Sequence, residues 1–190
     1  MTYAEAITDI LSRVDDPNGD TYETRAKQLF RNAVISLAIS NEVSNEDILT
    51  LLNLKTEETP TSGKWDIYSI FGSNLLRIVK IYAHPYSSGQ NILLTETDIE
   101  TWNQIGTDDT LEPIAARNEV RWCKIGKEIH FYNKYSSYYS EKHINVIYIT
   151  RPGTFSDSDE LIGDYSELFI NMVMDMATAN LKKEILMENG

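Results

Sequence analysis

The sequence predicts an α+β fold: a helical bundle built from the two ends of the chain, with a small antiparallel β lobe inserted between them. Three observations carry that expectation. Apolar residues recur at helical spacing in the first third and again in the last thirty residues; the middle is rich in β-branched and aromatic runs; and turn clusters separate the segments. At 190 residues the chain has the size of one domain, with the bundle expected over 1–54 and 161–190 and the β lobe, carrying a short helix, over 65–152.

The first helix opens at Thr2, whose hydroxyl and the Glu5 carboxylate have capping-box spacing, and continues through Ile7, Ile10, Leu11 and Val14. The cluster Asp15-Asp16-Pro17-Asn18-Gly19-Asp20 ends it. Asp20 with Glu23 repeats the spacing before a second helix, with Tyr22, Ala26, Leu29, Phe30, Ala33, Val34 and Leu37 on one face. Ser44 with Asp47 opens a short third helix carrying Ile48, Leu51 and Leu52. The polar stretch KTEETPTSGK at 55–64, with Pro60 and Gly63, reads as a loop.

From there the period changes. LLRIVKIYA at 75–83 reads as a strand, and TDIETWNQ at 97–104 as one or two helical turns capped by Thr97. Residues 120–125 and 128–133 flank Gly126-Lys127, the pattern of a two-residue hairpin with positive φ at glycine in a II′-type turn. INVIYIT at 144–150 is a third strand, stopped by Arg151-Pro152-Gly153 because proline cannot donate to a ladder. Asp164 with Glu167 opens a last helix whose stripe runs Tyr165, Leu168, Phe169, Met172, Val173, Met176, Ala177 and Leu181.

Composition bounds function. Lys and Arg number 17 against 29 Asp and Glu, a net charge of −12, and nucleic-acid binding through the phosphate backbone requires a basic surface. The single cysteine, Cys123, excludes an intramolecular disulfide framework and a Cys-based zinc knuckle, and His84, His130 and His143 lack paired-ligand spacing. No apolar run reaches the roughly 18 residues of a membrane span, and MTYAEAITDI has neither a basic n-region nor an apolar h-region. A protein that remains in the cytoplasm where it is made, without membrane contact, is the expectation.

Each candidate for chemistry has a plain structural alternative. Asp157, Asp159 and Glu160 offer oxygen ligands for a divalent cation, but they lack the glycine and distal Glu of a calcium loop, and negative charge before a helix is favourable on its own account. Glu96, Asp98 and Glu100 near Trp102 suggest the paired carboxylates of a glycosidase, against a solvated acidic loop. His130, His143, Cys123, Ser137 and Ser140 sit in or near the hairpin without a GxSxG elbow or a cysteine signature, so a strand histidine and a packed thiol are the favoured reading. No GxGxxG or GxxxxGK[ST] loop is present, and no catalytic, metal or cofactor residue is assigned. Tyr132, Tyr135, Tyr138 and Tyr139, beside Lys134, form either a partner-contact surface or the cover of the lobe's own floor.

The strand INVIYITRP, the acidic turn FSDSDELIGD and the helix YSELFINMVMDMATANL resemble the C-terminal half of tailed-phage head–tail connector (adaptor) proteins. RWCKIGKEIHFYN is similar to that family's hairpin, LLRIVKIYA to its earlier strand, and MTYAEAITDILSRVDD to its opening helix. Asn133-Lys134 stands where the family hairpin often ends in proline. The resemblance implies a non-enzymatic virion protein at the head–tail junction, made in the host cytoplasm and monomeric until it meets the portal. It implies a ring, dodecameric by the family's pattern, that docks under the portal protein, meets a tail or neck protein and lets genomic DNA pass without specific binding. An acidic wall suits that passage, since it repels phosphates. Arg13, Arg25, Lys27 and Arg31 are opposite in sign to Asp157, Asp159 and Glu160, and head-to-tail pairing of these regions between neighbouring subunits is the expected ring contact. The alternatives kept from other classes are a phage-associated peptidoglycan hydrolase, with Glu96 and Glu100 as its acids, and a small acidic host-directed binding module.

Overall fold

A computed structural model of the chain describes residues 1–16, 18–19, 21–40, 43–58, 64–84, 92–105, 121–131 and 143–188. The architecture is α+β, and the chain divides into two compact units: Met1–Leu52 with Ile149–Gly190, and Asn53–Tyr148.

The first unit is helical. Helix α1 (Tyr3–Ser12) has the expected capping box, with Thr2 Oγ1 accepting from the Glu5 amide at 3.2 Å and Glu5 accepting from the Thr2 amide at 2.8 Å. Helix α2 (Glu23–Ile39) starts differently from expectation. Its N-cap is Tyr22, without a side-chain cap, and the Asp16 carboxylate accepts from the amides of Thr21 and Tyr22 at 3.2 and 2.8 Å. Asp20, the expected cap, lies outside the described residues. The third helix is a 3-10 helix, Asn45–Leu51, broken at Ile48, with the Ser44/Asp47 capping box in place. The long helix α5 (Glu167–Glu188) buries Phe169, Ile170, Val173, Met174, Ala177, Thr178 and Leu181. Its cap is Ser166, whose Oγ accepts from the Phe169 amide at 3.1 Å, and not Asp164. Leu168 and Met176, expected on the buried stripe, are 65% and 36% exposed, because the inner face is centred on 170, 173, 174 and 177 instead.

Helix α5 packs against both α1 and α2. At the centre of this unit Phe30 is fully buried, edge-on to Tyr3 and to Phe155 at 5.3 and 5.6 Å, while Tyr3 and Phe155 stack at 5.1 Å. Phe155 belongs to the connection that follows the last strand, so that connection is part of the helical core.

The second unit holds two four-stranded sheets. Strands β1 (Leu52–Glu58), β3 (Leu75–His84), β4 (Ile92–Leu93) and β8 (His143–Thr150) form one sheet in the order β1-β8-β3-β4. Strands β2 (Lys64–Asp66), β5 (Thr95–Glu96), β6 (Arg121–Ile125) and β7 (Glu128–Phe131) form the other, in the order β2-β7-β6-β5. The β6-β7 hairpin is in the expected register, Ile125 opposite Glu128, and among the two turn residues only Gly126 has positive φ, the II′ pattern. The β5–β6 pair is parallel.

Two local expectations are corrected here. Residues 55–58 of the expected loop lie in β1, and Lys64 begins β2. As an edge strand, β1 accommodates polar side chains: Lys55 Nζ donates to the Ile70 carbonyl, and Thr56 Oγ1 is 2.7 Å from Asn145 Oδ1. The turns around Trp102 form helix α4 (Ile99–Ile105), capped by Asp98 rather than Thr97, with Asp98 accepting from the Thr101 amide and hydroxyl, each at 2.8 Å. A further short helix, α3 (Ile67–Phe71), follows β2 on an Asp66 cap. Trp65, Phe71, Ile81, Trp122, Ile129, Phe131, Ile144 and Val146 join the two sheets into one core.

Candidate functional site

The residues singled out by sequence fall into three places. The hairpin candidates lie in the second unit. Cys123 and His130 are opposite one another on β6 and β7, on the face away from the Trp122 and Phe131 pair. Helix α4 packs on β6, and the Trp102 ring meets His130 edge-on at 6.3 Å. Cys123 is buried, and burial, with Asp98 and Glu96 adding to it, pushes its thiol up. A thiol so placed is a packed apolar group, not a nucleophile. His130 Nε2 lies 3.0 Å from Glu128 Oε2, and Lys64 Nζ reaches Glu128 Oε1 at 2.7 Å. Those bonds, from Lys64 foremost, hold the Glu128 carboxyl below the usual range.

Glu96 and Glu100 are both exposed. Asp98 accepts bonds from Thr101, which lower its pKa and make it a cap. Among the described residues no group of three His, Cys, Asp or Glu stands close enough to hold a metal ion. The side chain of His143, together with Tyr132, Tyr135, Tyr138, Tyr139, Ser137 and Ser140, lies outside the described residues.

The charged candidates all fall in the helical unit, where the structure brings them onto partners of the same chain. Arg25 forks onto Glu184 of α5, with Nε at 2.6 Å from Oε2 and Nη2 on Oε1, and its Nη1 reaches Gln28 at 2.9 Å. Arg13 joins Asp9 at 2.5 Å and Asp175 of α5 at 2.7 Å. Lys27 joins Glu23 at 2.8 Å and Asp157 at 3.1 Å. Arg31 Nη2 is 3.4 Å from the Pro152 carbonyl. The charge complementarity that suggested a contact between subunits is thus met in part within one chain, through Lys27 and Asp157.

The acidic turn itself is a backbone anchor. Tyr3 and Ala4, whose amides at the start of α1 have no intrahelical acceptor, donate to the carbonyls of Asp159 and Asp157 at 2.9 and 3.2 Å. Leu161 donates to the Met1 carbonyl at 3.0 Å. The Asp159 carboxylate turns inward to cap Ser156, accepting from its hydroxyl and, at 2.8 Å, from its amide, and these bonds lower its pKa. Glu160 lies 3.5 Å from the amino group of Met1.

Beside this anchor is a groove of about 270 Å³, walled by residues 150–155, Asp159, Glu160, Leu161, Asp164 and Tyr165 together with Thr50 and Leu51. Thr50 Oγ1 closes one side by donating to the Asp164 carbonyl at 2.7 Å. Tyr165 stacks on Phe169 at 5.4 Å, and burial, with Asp164 adding to it, pushes its phenol up to about 12. Arg151 is exposed at the rim. Sequence reasoning missed this groove, because its walls come from segments a hundred residues apart and carry no shared motif. No protein-family model matches the chain, and no characterised protein matches it in sequence.

Proposed function

We propose that the chain is a structural subunit of the head–tail junction of a tailed phage: a connector that assembles as a ring under the portal protein, meets a tail or neck protein on its other side, and passes DNA without gripping it. The observation that carries this reading is the segment from β8 through residues 151–161 into α5. In the sequence it is the stretch that resembles the connector family; in the fold it is a working joint, since its backbone holds the start of α1 and its Phe155 completes the helical core. The resemblance also takes in the hairpin, the earlier strand and the opening helix, so it covers most of the chain. The net charge of −12 suits a conduit for DNA, because like charge disfavours adhesion.

The chain mixed with the portal protein of the same genome tests the reading by native mass spectrometry. A complex with one copy per portal subunit is expected. A chain that does not associate under any salt condition that preserves the portal ring overturns it.

A further inference from the structure

The groove beside the α1 anchor holds a polar group that the fold leaves unused. Tyr165 forms part of the groove wall and is only 6% exposed, its ring stacked on Phe169. Its hydroxyl has no hydrogen-bond partner among the described residues, whereas a buried phenol ordinarily finds one. The Asp164 carboxylate is likewise uncommitted. Thr50 takes its backbone carbonyl, but no cation pairs with its side chain among the described residues, and its charge acts on the Tyr165 phenol. The other acids of the wall are engaged: Asp159 with Ser156, and Glu160 at 3.5 Å from the Met1 amino group.

We propose that the groove receives a lysine side chain of a partner protein, its methylenes on Pro152 and Leu161 and its ammonium held between the Asp164 carboxylate and the Tyr165 hydroxyl. Charge selects the sign of the occupant. Asp159, Glu160 and Asp164 wall the groove against one guanidinium, that of Arg151 at the rim. An anion would find Arg151 but would sit against Asp164 and Glu160, while a cation is drawn in. Size selects a side chain over a free molecule. At about 270 Å³ the groove is smaller than the roughly 300–1,000 Å³ of pockets that enclose small ligands, so it suits one long side chain presented by a larger partner. The polar set selects lysine. One carboxylate and one hydroxyl match the separately directed N–H groups of an ammonium, whereas a guanidinium fork is best met by paired, coplanar acceptors. Lysine also buries its methylenes while its charged head stays among polar groups, as the mixed wall requires.

The inference is independent of the connector reading and is tested without a portal. The full chain, labelled with nitrogen-15, is titrated with the peptide acetyl-Gly-Lys-Gly-amide and followed by its amide chemical shifts. Saturable shifts confined to residues 150–155 and 161–165 are expected, with a dissociation constant of about 1–10 mM. The same peptide with norleucine in place of lysine keeps the stem and loses the charge, and is expected to leave those amides unmoved. Tyr165→Phe keeps the ring and the net charge of the chain. It is expected to weaken lysine binding roughly tenfold without lowering Tm, because the hydroxyl it removes bonds to nothing in the free chain. Asp164→Asn is expected to abolish binding. No shift at those residues up to about 20 mM peptide overturns the proposal. So do shifts spread over the whole acidic surface, an affinity untouched by Tyr165→Phe, or an equal response to norleucine. A glutamate peptide that binds there assigns the groove to an anion, and an arginine peptide that binds more tightly overturns the choice of lysine.

Discussion

Phe30 holds the centre of the helical unit, in contact with a ring from α1 and a ring from the connection before α5. Phe30→Ala leaves a cavity that three separate segments line, and a loss of about 3–5 kcal/mol in unfolding free energy is expected by chemical denaturation. Thr178 presents the opposite case. It is buried on the inner face of α5, and its hydroxyl has no hydrogen-bond partner among the described residues. Thr178→Val keeps the shape and removes an unmet polar group, so a gain of about 1 kcal/mol, or roughly 2–4 °C in Tm, is expected by calorimetry. Asp159 links stability to pH. The bonds from Ser156 hold its folded pKa below the ordinary 3.8. Its stabilising share is therefore present above that ordinary value and is lost as pH falls through the lower folded one. Asp159→Asn is expected to be less stable than the parent at neutral pH, with the two denaturation curves converging in strong acid. Arg25→Glu sets an acid against Glu184, and its cost is expected in the thermal stability of the isolated chain, before any partner is added.

At the scale of elements, the sequence was most readable where a local rule suffices. The capping boxes at Thr2 and Ser44 and the Gly126 hairpin formed as their motifs predict, since each is settled within about four residues. Gly126→Ala forces a Cβ into left-handed backbone with nothing crowding it, so the cost of about 1 kcal/mol is conformational, and Gly126→Asn is expected to recover much of it. The cap of α5 shifted because Ser166 stands closer in the chain to the first free amides than Asp164 does. Strand β1 was illegible because its sequence is polar, as an edge allows, and what makes it a strand is its neighbour β8, ninety residues away. The same reason hid the groove and the inner register of α5: spacing shows where a helix carries apolar residues, while the neighbours decide which side is buried.

For the whole molecule, the α+β class and the coarse order of helices, β lobe and long last helix followed from the change of period along the chain, while the short strands β1, β2, β4 and β5 and helix α3 did not. What sequence could not supply was which opposite charges meet. Formal complementarity between residues 13–31 and 157–160 was visible, but Arg25 and Arg13 found Glu184 and Asp175 of α5, and of those cations Lys27 alone met an acid of the turn. Net charge also sets how copies respond to salt. On the proposed connector reading, with −12 on every subunit, assembly onto a portal is expected to strengthen as ionic strength rises from about 10 mM to physiological levels, checked by titrating salt in the mass-spectrometric mixture, because the Debye length shortens from about 30 to 8 Å.

The anchoring of Tyr3 and Ala4 by the carbonyls of Asp159 and Asp157 bears on how the chain is made. Residues 1–52 leave the ribosome first, yet the groups that complete them arrive only after residue 155, and α5 later still. The lobe of residues 53–148 is contiguous and has its complete core in hand when its last strand emerges. Folding during synthesis is therefore expected to run from the inside outward, with the earliest helices waiting longest, and a nascent chain stalled when residue 150 has cleared the exit tunnel, with α5 still inside it, should carry a protease-resistant lobe behind a still-digestible leading segment.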